Sequence, residues 1–251
     1  MTFTDDEVER YARQIVLREV GGPGQQKLKA ARVLIVGMGG LGAPAALYLA
    51  ASGVGRLGLV DADRVALSNL QRQVLYTSAD VGLAKVAAAE DRLKALNPHL
   101  AVDRHPVMLD AANARELVAG YDLVLDGTDD FATRFHVNAA CVAERKPLVS
   151  GAIGRWTGQI GVFAGQPCYQ CLVPEIPPGA ETCAAVGVIG ALAGVIGSMM
   201  GLEAVKAITG AGEALVGRLM IYDALAGDTR TVRIGADPAC PVCAPAKASK
   251  G

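Results

Sequence analysis

From Arg32 onward the chain alternates short apolar runs with amphipathic stretches, and this alternation sets the first expectation. Arg32-Val33-Leu34-Ile35-Val36 is a continuous apolar run that stops at Gly37-Met38-Gly39-Gly40-Leu41-Gly42. A run of that length without polar alternation predicts a strand buried on both faces, followed by a glycine turn and a helix over Ala43–Ala51. Strands are predicted at Arg56–Val60, Ala101–Arg104, Asp122–Leu125 and Pro147–Ser150. Helices are expected near Leu83–Leu96, Ala111–Ala119 and Phe131–Glu144. Before this series, Asp5–Leu17 has helical composition and carries Arg10 and Arg13. Gly21-Gly22-Pro23-Gly24 reads as its break, with a second short helix over Gln25–Ala31. Regular β-α alternation with short connections predicts an α/β fold, a doubly wound, mainly parallel sheet of Rossmann-like form.

After Gly151 the alternation lapses. Gln159–Phe163, Arg218–Tyr222 and Thr229–Ile234 read as strands without intervening helices, expected to extend the sheet in antiparallel fashion. The uncharged stretch Ala184–Leu202 is long enough for a membrane span. It is rich in Ala, Gly and Val, and it runs directly into Glu203 and Lys206. A buried, close-packed helix is therefore the better reading, one that can also line a subunit interface. With no low-complexity linker between halves, residues 1–251 are read as a single domain whose last residues, from Ala244, are frayed.

Composition narrows the function classes. Half of the 251 residues are hydrophobic and the net charge is −1, a globular composition without an electrostatic footprint for nucleic acid. The charged N-terminus lacks the apolar core of a secretory signal, and no membrane association is expected. Cys168/Cys171 and Cys240/Cys243 are two CxxC pairs, a spacing that can close one tetrahedral thiolate site for structural Zn²⁺. Such a site has no open position for activating water and serves to staple the C-terminal tail. Reduced cysteines suit a cytoplasmic protein.

Chemistry is therefore sought at the glycine turn. Gly37-x-Gly39-x-x-Gly42, between a strand and a helix, is the context of a dinucleotide fingerprint, with Asp61 at the next strand end able to bind ribose hydroxyls. Alone, this fits an ATP site, an NAD site or a tight turn without ligand. Ser68-Asn69-Leu70-Gln71-Arg72-Gln73 follows as a polar loop, then Lys85 on the next helix. Arg72 and Lys85, with Arg13, would suit the charge of a triphosphate, although spacing alone also allows ordinary solvated cations. Asp126-Gly127-Thr128-Asp129-Asp130, at the end of a predicted strand, offers carboxylates for Mg²⁺. Thr128 or Asp129 could instead cap the following helix, which accounts for one acid of the three.

Taken together, RYARQIVL (Arg10–Leu17), VLIVGMGGLG (Val33–Gly42), Asp61, LSNLQRQ (Leu67–Gln73), Lys85, DGTDD (Asp126–Asp130), CYQC and CPVC resemble the HesA/MoeB/ThiF family of E1-like adenylyltransferases over nearly the whole chain. The resemblance implies ATP–Mg²⁺ binding and adenylylation of the C-terminal glycine carboxylate of a small ubiquitin-like sulfur carrier, in molybdopterin or thiamine biosynthesis. It implies a homodimer in which Arg13 reaches the neighbouring subunit's site. The nucleotide site it implies comprises Gly40, Asp61, Ser68, Asn69, Leu70, Gln71, Arg72, Lys85, Asp129 and Asp130, with Asp129 as the magnesium-associated acid. Zinc on the four paired cysteines belongs to the same pattern. The family commonly has Asn where Asp130 stands. Related enzymes carry a cysteine in the loop that holds Cys183, and in some it bonds covalently to the carrier. The chain ends shortly after Cys243, so a separate sulfur donor is expected, and the molybdopterin branch is favoured. No catalytic role is expected for His99, His105 or His136, because a terminal carboxylate is already ionised at neutral pH. Cys141 reads as a small apolar residue on a buried helix face. A zinc-stapled NAD(P) dehydrogenase would leave Arg72, Lys85 and the acid cluster unexplained, and a non-catalytic carrier-binding scaffold would not need them.

Overall fold

In the computed structural model, residues 2–176 and 187–244 are described. Eight strands form one mixed sheet: β1 (Arg32–Val36), β2 (Arg56–Val60), β3 (Ala101–His105), β4 (Leu123–Asp126), β5 (Leu148–Gly154), β6 (Thr157–Phe163), β7 (Arg218–Asp223) and β8 (Asp228–Arg233). Their order is β3-β2-β1-β4-β5-β6-β7-β8. Strands β1 to β5 pair in parallel, and β5-β6, β6-β7 and β7-β8 pair antiparallel. The doubly wound sheet with an antiparallel extension is thus the fold observed.

The apolar run in β1 is explained by burial on both faces. Val33 and Ile35 join one core with α3 (Gly42–Ala51), α4 (Lys85–Leu96) and α8 (Gly190–Thr209), while Leu34 and Val36 join the other with α5 (Ala114–Ala119), α6 (Phe131–Ala143) and Tyr169 of the short α7 (Tyr169–Leu172). Period-2 side-chain alternation feeds both cores from one strand, so no polar position is left after Arg32. Cys141 lies in the second core, where burial raises its thiol pKa. The chain leaves β1 toward β2 and β3 on one side and later returns to β4 on the other. That reversal creates the switch-point crevice at the C-terminal ends of β1 and β4.

Several boundaries differ from the sequence reading, most visibly around the first two helices and at the end of β5. Helix α1 (Asp5–Ile15) ends earlier, and α2 (Gly21–Ala30) includes the Gly-Gly-Pro-Gly segment expected to break it. The break falls instead at residues 16–20. Pro23 sits in the first turn of α2, where its missing N–H would have lacked an intrahelical partner anyway. Strand β5 runs four residues beyond Ser150, because pairing with β6 extends from Leu148↔Phe163 to Gly154↔Thr157.

Helix α8 is long and apolar enough to cross a membrane by length and composition. Its packing is that of a core helix. A Cβ on Gly197 would come within 2.4 Å of the Leu41 carbonyl oxygen and of Pro44, so glycine lets α8 lie directly on α3. The helix continues through Glu203 and Lys206 because both charges are satisfied. Glu203 Oε2 accepts the Leu215 N–H at 2.7 Å, and Oε1 pairs with Lys206 at 2.6 Å. Gly210, at φ +82°, then ends it in a left-handed cap. Of the stretch expected to be helical, residues 184–186 lie outside the described residues.

Candidate functional site

A cleft of about 420 Å³ opens at the C-terminal ends of β1, β2 and β4. Its floor is the glycine turn. Gly37 has φ +87°, and a Cβ on Gly42 would sit 1.9 Å from the Gly37 carbonyl oxygen, so both positions require glycine for the strand to enter α3 this tightly. The turn presents the N-terminus of α3 to the cleft, a natural seat for an anion.

Met38 is held on both sides. Its N–H donates to Asp61 Oδ2 at 2.8 Å, and its carbonyl accepts the Tyr76 hydroxyl at 2.8 Å. Burial, with Asp61 and Asp80 nearby, keeps Tyr76 protonated by raising its pKa. Asp61 Oδ1 also accepts the Asp63 N–H at 2.8 Å. Each carboxylate oxygen of Asp61 retains a lone pair for a further donor.

Lys85 is not a solvated charge. Its side chain is 5% exposed and its Nζ lies 2.7 Å from Asp63 Oδ2 and 3.6 Å from Asp61 Oδ2. A buried ammonium at the start of α4 requires such counter-ions. Arg72 is half-buried; its Nη1 donates to the Ser68 carbonyl at 3.1 Å, and its stem lies against Gly40. Gln73 donates to Asn69 Oδ1 at 2.8 Å, while its own Oε1 is buried with no hydrogen-bond partner among the described residues.

The three acids after β4 have three different positions. Asp126 is buried, and its Oδ1 accepts the Thr128 N–H at 3.0 Å and hydroxyl at 2.7 Å. Asp130, not Thr128 or Asp129, caps α6. It accepts the Thr133 N–H at 2.7 Å and the Thr133 hydroxyl at 2.8 Å, and the N–H bond holds its carboxyl below the ordinary carboxylate range. Asp and Asn cap helices about equally well, which accounts for Asp at a position where Asn is common. Asp129 is exposed, lines the cleft, and has no hydrogen-bond or ion-pair partner among the described residues. Its carboxylate is the one free to take a cation such as Mg²⁺ together with phosphate oxygens.

Of the residues singled out from the sequence, Gly40, Asp61, Asn69, Arg72, Lys85, Asp129 and Asp130 line this cleft together. Ser68, Leu70 and Gln71 lie on the same loop but outside the lining; the Gln71 carbonyl instead packs against Gly190 at the start of α8. Arg13 is exposed on α1 and does not line the cleft of its own chain. Cys183 lies outside the described residues. None of the three histidines lines the cleft, and His105 meets the Tyr121 hydroxyl at 2.9 Å. Sequence reasoning missed Asp63, Tyr76 and Arg134. Only Asp63 had a local signal, its place two residues after Asp61.

The four paired cysteines converge beside the middle of α6, at Asn138. Their sulfurs all lie within 4.8 Å of one another, with Cys168–Cys240 at 3.7 Å and Cys171–Cys243 at 3.4 Å. Four sulfurs at about 2.3 Å from one zinc ion stand about 3.8 Å apart, so the cluster fits a tetrahedral ion. Asn138 of α6 donates to Cys168 Sγ at 3.5 Å and accepts the Tyr169 N–H at 2.9 Å. Burial opposes ionisation of Cys240, but the N–H groups of Cys243 and Val242 outweigh it and lower its thiol to about 7.

The model of the ThiF family matches residues 11–242. A protein of Thermus thermophilus named sulfur carrier protein adenylyltransferase is 49% identical over 97% of this chain and 93% of its own. The molybdopterin-synthase adenylyltransferase of Escherichia coli K12 is 48% identical over 96% of this chain and 98% of its own. The chain spans 56% of the Anopheles gambiae adenylyltransferase and sulfurtransferase MOCS3, at 47% identity over 97% of this chain. Among solved structures, PaaA superposes with TM-score 0.80 at 29% identity, over 92% of this chain and 75% of PaaA. Escherichia coli MccB superposes with TM-score 0.84 at 23% identity, over 96% of this chain and 76% of MccB, which shows a shared fold.

Proposed function

Because the chain belongs to the ThiF family, we propose that it adenylylates the C-terminal glycine carboxylate of a ubiquitin-like sulfur carrier protein, consuming ATP and releasing pyrophosphate. The observation that carries this reading is the opposition, across one glycine-floored cleft, of the cations Arg72 and Lys85 and the acid Asp129, which has no partner among the described residues. Two near-full-length relatives at 48–49% identity bear names of that activity.

The chemistry needs no general base. A terminal carboxylate has a pKa of about 3.3–3.7 and is ionised at neutral pH. Its oxygen forms a bond to the α-phosphorus while the bond to the oxygen bridging to the β-phosphate breaks, and pyrophosphate departs with that electron pair. Asp61 orients the ribose, the glycine turn holds phosphate at the α3 N-terminus, and Arg72 and Lys85 meet the charge on the leaving group. Mg²⁺ associated with Asp129 would neutralise further phosphate charge. Zn²⁺ on Cys168, Cys171, Cys240 and Cys243 would be structural, with every position occupied by sulfur.

The same reading includes a homodimer in which Arg13 of a second copy completes the site. It also includes a separate sulfur-donor protein and a cytoplasmic setting that keeps the thiols reduced. The name of the Escherichia coli relative favours a carrier of molybdopterin synthesis over one of thiamine synthesis. Carrier-dependent exchange of labelled pyrophosphate into ATP tests the reading. Exchange is expected with a carrier ending in Gly-Gly and lost when its terminal carboxylate is amidated. Equal exchange with the amidated carrier would refute it.

A further inference from the structure

We propose that Arg134 is a positioning residue: with Asp126 it fixes the Thr128 turn and thereby sets how strongly Asp129 holds the nucleotide-bound divalent cation. The proposal rests on the adenylylation reading for its metal, and on the following geometry for its residue.

Arg134 lies one turn into α6 and is 5% exposed, in a place where an unpaired guanidinium would be costly. Its Nη2 donates to the Thr128 carbonyl and, at 2.6 Å, to the Gly151 carbonyl of β5. Its Nη1 donates to Ser150 Oγ at 3.1 Å and stands 3.9 Å from Asp126 Oδ2, the oxygen that accepts no hydrogen bond from the described residues. Thr128 is therefore gripped from both sides. Asp126 takes its N–H and hydroxyl, and Arg134 takes its carbonyl. Asp130 is fixed as the α6 cap. With residues 128 and 130 both fixed, the backbone of Asp129 between them has little freedom, although its side chain has no partner of its own among the described residues.

The guanidinium is also backed from behind. Its carbon lies 5.9 Å from the centroid of the Tyr169 ring, which packs edge-on against Phe163 at 5.7 Å and meets Phe135 at 6.2 Å. A planar fork with several donors can bridge a turn, a strand and a carboxylate at once, whereas a lysine ammonium keeps the charge but not the bridge. Asp129 thus supplies the metal contact, and Arg134 supplies the place where that contact is made.

The test is the Mg²⁺ dependence of carrier-dependent pyrophosphate exchange in the full chain, with Arg134→Lys against the parent. The Mg²⁺ concentration for half-maximal exchange is expected to rise about tenfold, with the rate at saturating Mg²⁺ within about threefold of the parent. A residue needed only for folding would lower the rate equally at every Mg²⁺ concentration. That pattern, or an unchanged Mg²⁺ dependence, overturns the proposal. If Arg134→Lys does not fold, Ser150→Ala removes one anchor of the same guanidinium and should move the Mg²⁺ requirement in the same direction by about twofold; no movement overturns it. If the parent shows no exchange, the functional reading fails separately. The inference is then decided by Mn²⁺ binding in the presence of ATP, followed by electron paramagnetic resonance. Weaker Mn²⁺ binding in Arg134→Lys supports it, and equal or absent binding in both proteins overturns it.

Discussion

Helix α6 meets two constellations built on opposite rules. At its N-terminus lies the cleft, where polar groups are left partly unsatisfied: Asp129 and the buried Gln73 Oε1 have no described partner, and Arg72 makes one backbone contact. Beside its middle lies the cysteine cluster, where four sulfurs face one another and Asn138 closes the shell from α6. A buried polar group without a partner costs free energy, so its retention points to a ligand. A cluster that saturates itself around one centre points to a staple. Substitutions in the cleft should therefore cost activity at little expense in stability, and substitutions in the cluster should do the reverse.

The widest separation is expected from Asp129→Ala. Pyrophosphate exchange should fall by about 10²–10³-fold, while Tm stays within about 2 °C of the parent, because an exposed side chain without partners among the described residues is lost. A large drop in Tm would erase the contrast between the two regions. Cys240→Ser should behave in the opposite way. Removing one ligand should lower Tm by roughly 10 °C, with a matching loss of bound zinc by elemental analysis. Unchanged Tm and zinc content would remove the staple from the account.

A pair of variants sharpens the picture within the cleft. Lys85→Ala should reduce exchange by about 10²-fold. Asp63→Asn, which leaves Asp61 as the ammonium's remaining counter-ion, should reduce it by less than about tenfold. Equal losses would mean that Asp63 itself meets the nucleotide. The smallest effect is expected for Asp130→Asn, with exchange within about twofold of the parent and a Tm almost unmoved at neutral pH. Below the ordinary carboxylate range the two should part. The Asp130 carboxyl titrates lower in the folded than in the unfolded chain, so its stabilisation is present above the unfolded value and lost as pH falls through the folded one. The asparagine variant, followed by acid denaturation, should lack that loss.

Much of this was legible in the chain because local pattern and tertiary role coincide. Val33–Val36 is uniformly apolar because both faces of β1 are covered, and CxxC pairs announce themselves at any distance. The glycines at 37 and 42 mark a turn that no other residue can make. Other features depend on partners far away in sequence. Gly151, Ala152 and Gly154 have low strand propensity, and only pairing with β6 carries β5 through them. Gly-Gly-Pro-Gly looks like punctuation, yet the first turn of a helix tolerates it. Arg134 could have been a surface charge on any amphipathic helix. Its role comes from Gly151, Ser150 and Asp126, which the sheet brings to it. Lys85 and Arg72 looked alike in the sequence, and burial distinguishes them.

The most direct test of the central claim is intact-protein mass spectrometry of a Gly-Gly-ending sulfur carrier incubated with this protein, ATP and Mg²⁺. The account predicts a carrier heavier by one adenylyl group at its C-terminal carboxylate, absent when Asp129→Ala replaces the parent. A carrier that stays unmodified with the parent, or an adduct formed equally well by the Asp129 variant, would contradict it.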